Sequence, residues 1–512
     1  MGQNLYTILE NSAQQYKEHP AVIFKEYTIS YGALKEAVDR LANGLKKIHL
    51  DKGDRIAVML PNIPHFPIAY YAILKIGAEV VLFSTTSQPD EIGQKLKETE
   101  AKAIVYLEAF REKVREAVQG VASCKNLLVL SPNPQTGEIR LPYLIETCDP
   151  LLETYIPESD ETAVILYTDG DRDSFKGVEL THDNIWANVK SCSEFFRLTV
   201  SDGVVGIIPL FHPFGQSLVM NTFLYAGASL VLHTKFSPEE IVKSIQAHKL
   251  TYFVGFPFMY EALVKYLESQ SITLPSLHYC LSCGDALRQE VMETFEARFR
   301  IPILEGYGLA EGGVVSFNSA QQERRAGSIG LPLPGIEMKI VDEEDREVRS
   351  GQVGEIIVQG PNVMKGYFNR AEATKEALRG GWLHTGDLAL LDETGFGFIV
   401  AQKKNVIVKS GFHIYPMEVE NYLMTHPKIA EAVVVGLPDP IQGEEIHACV
   451  VLKPGENAEE REIIDYLKER IPLYKCPKTV VFMGSLPKGV TGKVERDQVK
   501  KMCIEKSSVR IS

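Results

Sequence analysis

The chain has 512 residues, 45% hydrophobic and 24% charged, a balance that suits a folded globular protein and excludes disorder as its main state. Lys and Arg total 54 against 67 Asp and Glu, for a formal net charge of −13. That charge excludes a nucleic acid as the expected partner, because neutralising phosphates takes a basic surface. The apolar runs are all far shorter than the roughly 18 residues of a membrane helix, so no transmembrane segment is expected.

The first residues, MGQNLYTILENSAQQ, lack the basic-then-apolar pattern of a secretory leader. With eight scattered cysteines, this makes a reducing, cytoplasmic setting the expectation. RIAVML (55–60) reads as a strand, Phe66 to Ile76 as a helix, and EVVLF (79–83) as the next strand. Pro89 then opens a polar helix before the strand AKAIVYL (101–107). This alternation of strand and helix argues for parallel strands under covering helices. The rhythm continues through AVILYT (163–168), VVGIIPL (204–210), ASLVLH (228–233), TYFVGF (251–256) and LHYCLS (277–282). Their nearly unbroken apolar character suits sheets buried on both faces. Cys280 and Cys283 fall within the last of these runs and its Gly turn, and read as buried free thiols.

After about residue 325, Gly and Pro become dense and short strands follow (EMKIV, GEIIVQG), which indicates a small β unit. From about residue 405 the strands EAVVVGL, HACVVL and TVVFM surround a helix from Ala458 to Arg470, an α+β unit ending in the basic segment LPKGVTGKVER. The expected fold is therefore α/β: a large N-terminal domain of helix-covered, mostly parallel sheets with a small β subdomain, and a smaller α+β C-terminal domain.

Four segments could carry chemistry. YTDGDRDSFKGV (167–178) follows a strand and precedes the helix start Thr181-His182-Asp183-Asn184, an arrangement that gathers backbone N–H groups around phosphate. Taken alone the signal is weak and reads first as an ordinary charged surface loop, and it lacks the Walker pattern. EGYGLAE (305–311) sets an aromatic ring between glycines with a carboxylate beyond it, enough to support a planar base and hold a divalent cation, or simply a tight turn with a packed Tyr. WLHTGD (382–387) offers a carboxylate to a pair of hydroxyls, or an Asx turn. PKGVTGKVER (487–496) carries a lysine between turn residues, which in isolation is a solvated charge.

Joint order is more informative. The loop, EGYGLAE, GWLHTGD, QKKNVIVKSGFHIYP and PKGVTGK, together with PLFHPFG, GSIGLPLPG and GEIIVQGPNVMKGYF, resemble the adenylate-forming superfamily, in its fatty acyl-CoA synthetase branch, over essentially the whole chain. The resemblance implies ATP, Mg²⁺ and coenzyme A as cofactors and a medium- or long-chain fatty acid as substrate. The acid would be adenylated and then passed to the CoA thiol. It implies that Lys493 stabilises charge at the attacked phosphate, that Glu311 is the Mg²⁺-associated acid, and that His212 lies beside the substrate carboxylate. Thr168, Gly170, Lys176 and Gly177 match the phosphate loop. Gly284, Gly306, Tyr307 and Gly308 match the adenine shelf, and Asp387 matches the ribose acceptor. Gln402 occupies the position of a ribose-contacting Arg, Lys404 that of the domain pivot, and Gly411 one beside the CoA channel. The implied domains are 1–403 and a mobile 404–512. Oligomeric state, peripheral membrane contact, acyl chain length and a carrier-protein acceptor are left open.

Several residues depart from the family pattern. Asp169, Asp171, Arg172, Asp173 and Phe175 replace small, hydroxyl-bearing, Gly and Pro residues of the phosphate loop. Ala310 replaces a Thr, and Ala401, Gln402 and Asn405 replace Asp, Arg and Asp. These changes gather around the nucleotide, so a second reading stands beside the first: a homologue that binds acyl-CoA or nucleotide without efficient adenylation.

Overall fold

The computed structural model describes residues 2–151, 153–168, 175–268, 270–321, 323–489 and 491–509, with side chains to 504. Arg55–Met59, Glu79–Leu82 and Ala103–Leu107 pair in parallel, and the helices His65–Lys75 and Pro89–Glu98 connect them. Asn126–Leu130 and Thr162–Tyr167 extend this sheet in parallel at either side. Successive residues Ile56 to Met59 have no exposed surface, so both faces of the sheet are covered, which is why the strand carries no polar alternation. After Tyr167 the chain reverses. Gly177–Thr181 returns antiparallel and in turn pairs with the short strand Gly366–Tyr367.

In the second sheet, Pro20–Phe24, Ser229–Leu232, Gly203–Gly206, Tyr252–Gly255, Tyr279–Ser282 and Ile303–Leu309 lie side by side, each parallel to its neighbour. Two expectations change here. The run VVGIIPL remains a strand only to Gly206. The Asn62 amide donates to the carbonyls of Gly206 and Ile208, both at 2.9 Å, and its oxygen accepts from the Leu210 N–H, so a side chain substitutes for ladder bonds. The segment EGYGL, for which a tight turn is one of the two readings, is part of the strand Ile303–Leu309 and forms a hairpin with Gly313–Phe317. Cys280 and Cys283 are buried free thiols as expected, and burial pushes both well above the ordinary thiol range.

The small β unit is a sheet in the order Glu337–Val341, Val353–Gln359, Leu383–Leu391, Gly397–Gln402, the last two antiparallel. In the C-terminal region a long hairpin, Ile429–Asp439 with Gly443–Leu452, takes Thr479–Phe482 alongside in parallel. The helices Pro416–Met424 and Glu460–Lys468 bury Val419, Leu423, Ile463 and Leu467 in a core shared with Val434, Ile446 and Val480. By packing, the chain divides into two units: Met1–Met338 with Val358–Leu383, and Lys339–Ile357 with His384–Ser512. Among the described residues no helix is long and apolar enough to cross a membrane.

Candidate active site

In parallel sheets, ligand sites form beyond the carboxyl ends of the strands. His212, Phe256, Gly284 and Thr168 all follow such ends, and Tyr307 lies near one. At the phosphate loop, Gly170 lies outside the described residues, as do Asp169, Asp171, Arg172 and Asp173. The neck of the loop is closed by Thr168 and Lys176. The Thr168 N–H donates to the Lys176 carbonyl at 3.0 Å, and the Lys176 N–H donates to Thr168 Oγ1 at 3.1 Å. Phe175, where the family pattern has Pro, is buried and stands edge-on to Tyr167, with ring centroids 5.3 Å apart. The Lys95 ammonium, paired with Glu91, lies 4.6 Å from the Tyr167 ring and 5.1 Å from the Phe175 ring. Phe175 therefore anchors the loop's exit through aromatic and cation–π contact.

Lys176 and Glu311 are brought together by a residue that the sequence reading assigned no role. The Lys176 ammonium lies 4.4 Å from the centre of the Tyr367 ring, and the Tyr367 hydroxyl donates to Glu311 Oε1 at 2.8 Å. Burial first, then the Glu311 charge, holds the Tyr367 phenol well above its ordinary range, so it remains a donor. The backbone fixes all three residues. The N–H groups of Met364, Lys365 and Phe368 donate to the carbonyls of Glu311, Glu179 and Gly177 at 2.8, 3.0 and 2.7 Å. Glu311 suits Mg²⁺, a hard cation usually held by one or two carboxylates with phosphate oxygens and water completing the shell. Among the described residues no group of three or more His, Cys, Asp and Glu could form an all-protein cage.

Gly308 and Gly284, two of the residues expected at an adenine shelf, approach His212 through two phenylalanines. The His212 ring stacks on Phe214 at 5.8 Å and meets Phe256 edge-on at 5.4 Å. A side chain at Gly308 would come within 3.1 Å of the Phe214 ring, and one at Gly284 (φ +90) within 3.0 Å of the Phe256 ring. At Gly306 a Cβ would overlap the Phe317 ring at 2.3 Å. A ring excludes a side chain at Gly306, the Gly313 carbonyl oxygen at 2.3 Å excludes one at Gly308, and the positive φ disfavours one at Gly284. Tyr307, between Gly306 and Gly308, is buried. The Phe214 N–H donates to His212 Nδ1 at 3.3 Å, so the neutral imidazole carries its proton on Nε2. Gly215 is required by its packing, since a Cβ there would lie 1.9 Å from the Pro209 carbonyl oxygen. From Phe256 the aromatic row continues to Phe258 and Phe236 at 6.3 and 5.9 Å. Glu305, also without an assigned role beforehand, is buried and accepts from the N–H groups of Leu287 and Gly327 at 3.2 and 2.7 Å.

In the second unit, Asp387 and Gln402 face each other across the ladder, and Gln402 Nε2 donates to Asp387 Oδ1 at 3.1 Å. Asn405 Nδ2 donates to Gln402 Oε1 at 3.3 Å. Glu355 secures the HTGD segment. It accepts from the Gly386 N–H at 3.0 Å and pairs with Lys403 at 3.3 Å. Burial raises the Glu355 carboxyl, but Lys403 and these donors outweigh it and hold the group below its ordinary range. Lys404 is exposed in a short turn, Lys403–Asn405. Gly411 (φ +81) has open space around it, and Lys493 is exposed. Tyr367 and Glu355 both lie within GEIIVQGPNVMKGYF. The place of that segment in the ordered set of motifs is the signal that could have found them.

Residues 9–368 match the AMP-binding enzyme family, and residues 418–493 match the C-terminal domain of AMP-binding enzymes. The chain belongs to the AMP-binding enzyme family. Among relatives of this AMP-binding enzyme, a long-chain-fatty-acid–CoA ligase of Bacillus subtilis (strain 168) is 37% identical, covering 96% of this chain and 93% of that protein. One of Escherichia coli O157:H7 is 34% identical, covering 97% and 94%. The ATP-bound crystal structure of MatB from Rhodopseudomonas palustris superposes with a TM-score of 0.91 at 27% identity, covering 98% of this chain and 99% of that one. The expected α/β architecture with a smaller C-terminal domain is thereby borne out.

Proposed function

We propose that this AMP-binding enzyme activates a medium- or long-chain fatty acid to its acyl-CoA, using ATP and CoA and passing through an acyl-adenylate. The observation that carries the reading is the meeting of His212, in its aromatic row, with the glycine-lined strand that leads to Glu311. Such a row of aromatic rings beside that strand supports an apolar acid lying next to a nucleotide. In the first half-reaction a carboxylate oxygen bonds to the α-phosphorus while the bond to the β-phosphate oxygen breaks, releasing pyrophosphate. In the second, the CoA sulfur bonds to the acyl carbon, the thiol proton leaves, and AMP departs with the anhydride oxygen.

Within this reading the chain's own groups have distinct tasks. Lys176 and Lys493 set positive charge against the phosphates, where an anion approaches a polyanion and electrostatic stabilisation is the chief need. When bound at Glu311, Mg²⁺ supplies further charge neutralisation there. Asp387 receives the ribose hydroxyls, Tyr307 supports adenine, and His212 Nε2 faces the acid. We further propose that residues 1–403 and 404–512 move relative to one another about Lys404, bringing first Lys493 and then Gly411 to the reaction. A cytoplasmic setting belongs to the same proposal, supported by the sparse, scattered cysteines, of which Cys280 and Cys283 are buried thiols.

The second reading, binding without efficient adenylation, is supported by Gln402 in place of a cation and by the three loop aspartates. Carboxylate-dependent exchange of pyrophosphate into ATP, measured over a panel of fatty acids, separates the two. Exchange with C8–C18 acids followed by thioester formation is expected. Absence of exchange with every acid, from protein shown to be folded, leaves the second reading.

A further inference from the structure

Resting on that nucleotide-site reading, we infer that Tyr367 is a positioning residue that couples the phosphate lysine to the metal carboxylate. Its ring faces the Lys176 ammonium at 4.4 Å, and its hydroxyl donates to Glu311 Oε1 at 2.8 Å. These are two different interactions from one side chain, directed at two groups with two different tasks.

The geometry is specific because the Tyr367 backbone is held by Thr374 and by the ladder to Val178. Its own N–H donates to Thr374 Oγ1 at 2.8 Å. Gly366 and Tyr367 pair antiparallel with Glu179 and Val178, in the strand that begins directly after Lys176. A Cβ on Gly366 would meet the Thr374 side chain at 2.7 Å, which fixes how closely this edge strand approaches its helix. The ring therefore cannot drift along the strand without breaking ladder bonds. Any buried tyrosine hydroxyl needs a hydrogen-bond partner, so what matters is which partner it has. Here the hydroxyl is directed at a carboxylate whose orientation decides how it meets a cation, the relation usually found between a ligand and its supporting hydrogen-bond partner. The ring, in turn, gives Lys176 a neutral face that restrains its flexible stem without cancelling its charge.

Two variants separate the roles. Tyr367→Phe retains the ring and removes the hydroxyl, and Tyr367→Leu removes both. The first readout is binding, without turnover: ATP affinity by calorimetry across a Mg²⁺ series, and Mn²⁺ binding in the presence of ATP by electron paramagnetic resonance. Tyr367→Phe is expected to raise the Mg²⁺ needed for half-maximal ATP binding, and to weaken Mn²⁺, by about ten- to a hundredfold. At saturating Mg²⁺ its ATP affinity should match the parent's. Tyr367→Leu should in addition weaken ATP at saturating Mg²⁺ by about threefold or more. Thermal unfolding of Tyr367→Phe should stay close to the parent's. If the Phe variant leaves the Mg²⁺ and Mn²⁺ dependence unchanged, or lowers only the unfolding midpoint, the positioning role is overturned while the nucleotide-site reading stands. If the folded parent binds no ATP at any Mg²⁺ concentration, both are overturned.

Discussion

The amide of Gln402 donates to the carboxylate of Asp387 at 3.1 Å, so the residue standing where the family pattern has Arg is already engaged with the proposed ribose acceptor. An amide is a weaker, uncharged donor than a guanidinium, and the Asn405 amide holds it from behind at 3.3 Å. Gln402→Arg should therefore keep the contact with Asp387 and add a positive charge toward the ribose. The expected outcome is a KM for ATP lower by about fivefold to tenfold, with kcat within about twofold, since one charge-assisted hydrogen bond contributes roughly 1–2 kcal/mol. Steady-state kinetics with varied ATP measure it. An unchanged KM would mean that the Asn405–Gln402–Asp387 chain already orients the carboxylate as well as a cation would.

The phosphate loop carries a sharper prediction because its substitutions differ in kind. Asp169, Asp171 and Asp173 add negative charge, and a pair of like charges about 5 Å apart costs roughly 3 kcal/mol at an effective dielectric near 20. Phe175 does something else. It is buried against Tyr167 and the Lys95 ammonium. Changing Asp169→Ser, Asp171→Thr, Arg172→Thr and Asp173→Gly together, with Phe175 kept, should lower the KM for ATP by about tenfold to a hundredfold. Adding Phe175→Pro to that set should lose about 2–4 kcal/mol of stability as a buried ring is removed. ATP kinetics read the first effect and denaturant unfolding the second. Equal stability with and without Phe175→Pro would refute the anchoring role.

What the sequence revealed and what it concealed follow one physical division. Strands such as Arg55–Met59 and helix starts such as Thr181–Asn184 are local: an apolar run, or a side chain capping a helix three residues on, is written in adjacent letters. The Thr181 hydroxyl indeed accepts from the Asn184 N–H, and the Asn184 side chain answers by accepting from the Thr181 N–H. The link from Tyr367 to Glu311 spans 56 positions and depends on an edge strand pairing with the segment after Lys176. No period or spacing encodes that. The early end of the 204–210 run has the same origin, since it depends on Asn62, which is remote in sequence. The candidate residues could be named because their motifs stand in an order that resembles a family's pattern. The partners that orient them were not, because orientation is a tertiary property.

Lys493 provides a clean test of electrostatic catalysis because its side chain is exposed and its backbone is held independently. The Gly489 N–H donates to the Lys493 carbonyl at 3.0 Å, a contact that no side-chain change at 493 removes. Lys493→Ala should leave the unfolding midpoint unchanged and lower carboxylate-dependent pyrophosphate exchange by about 10²–10³-fold, the loss usual for a preorganised charge-stabilising donor. Thioester formation from supplied acyl-adenylate and CoA should fall by less than about fivefold, because no polyphosphate is attacked in that step. Equal losses in both half-reactions would argue instead that Lys493 positions the C-terminal region throughout the cycle.

Stability should also carry an acid-sensitive contribution from His182. This histidine is buried at the start of the helix His182–Phe196, where its Nδ1 accepts the Leu5 N–H at 3.1 Å. Burial lowers its pKa from 6.5 to about 4, and a proton on Nδ1 would set two donors face to face. In the unfolded chain the imidazole takes a proton near pH 6.5, whereas in the folded chain it resists down to about pH 4, so between these values the unfolded state binds more protons. Stability from this group is then fully present above pH 6.5 and is lost as the pH falls toward 4, by roughly 3 kcal/mol in all. His182→Asn keeps a side-chain oxygen for the Leu5 N–H and does not titrate. Compared by denaturant unfolding at pH 7.5 and pH 4.5, the variant should lose roughly 2–3 kcal/mol less than the parent between the two conditions. Parallel losses in the two proteins would show that His182 titrates alike in the folded and unfolded chains, and that the Leu5 contact does not depend on its charge.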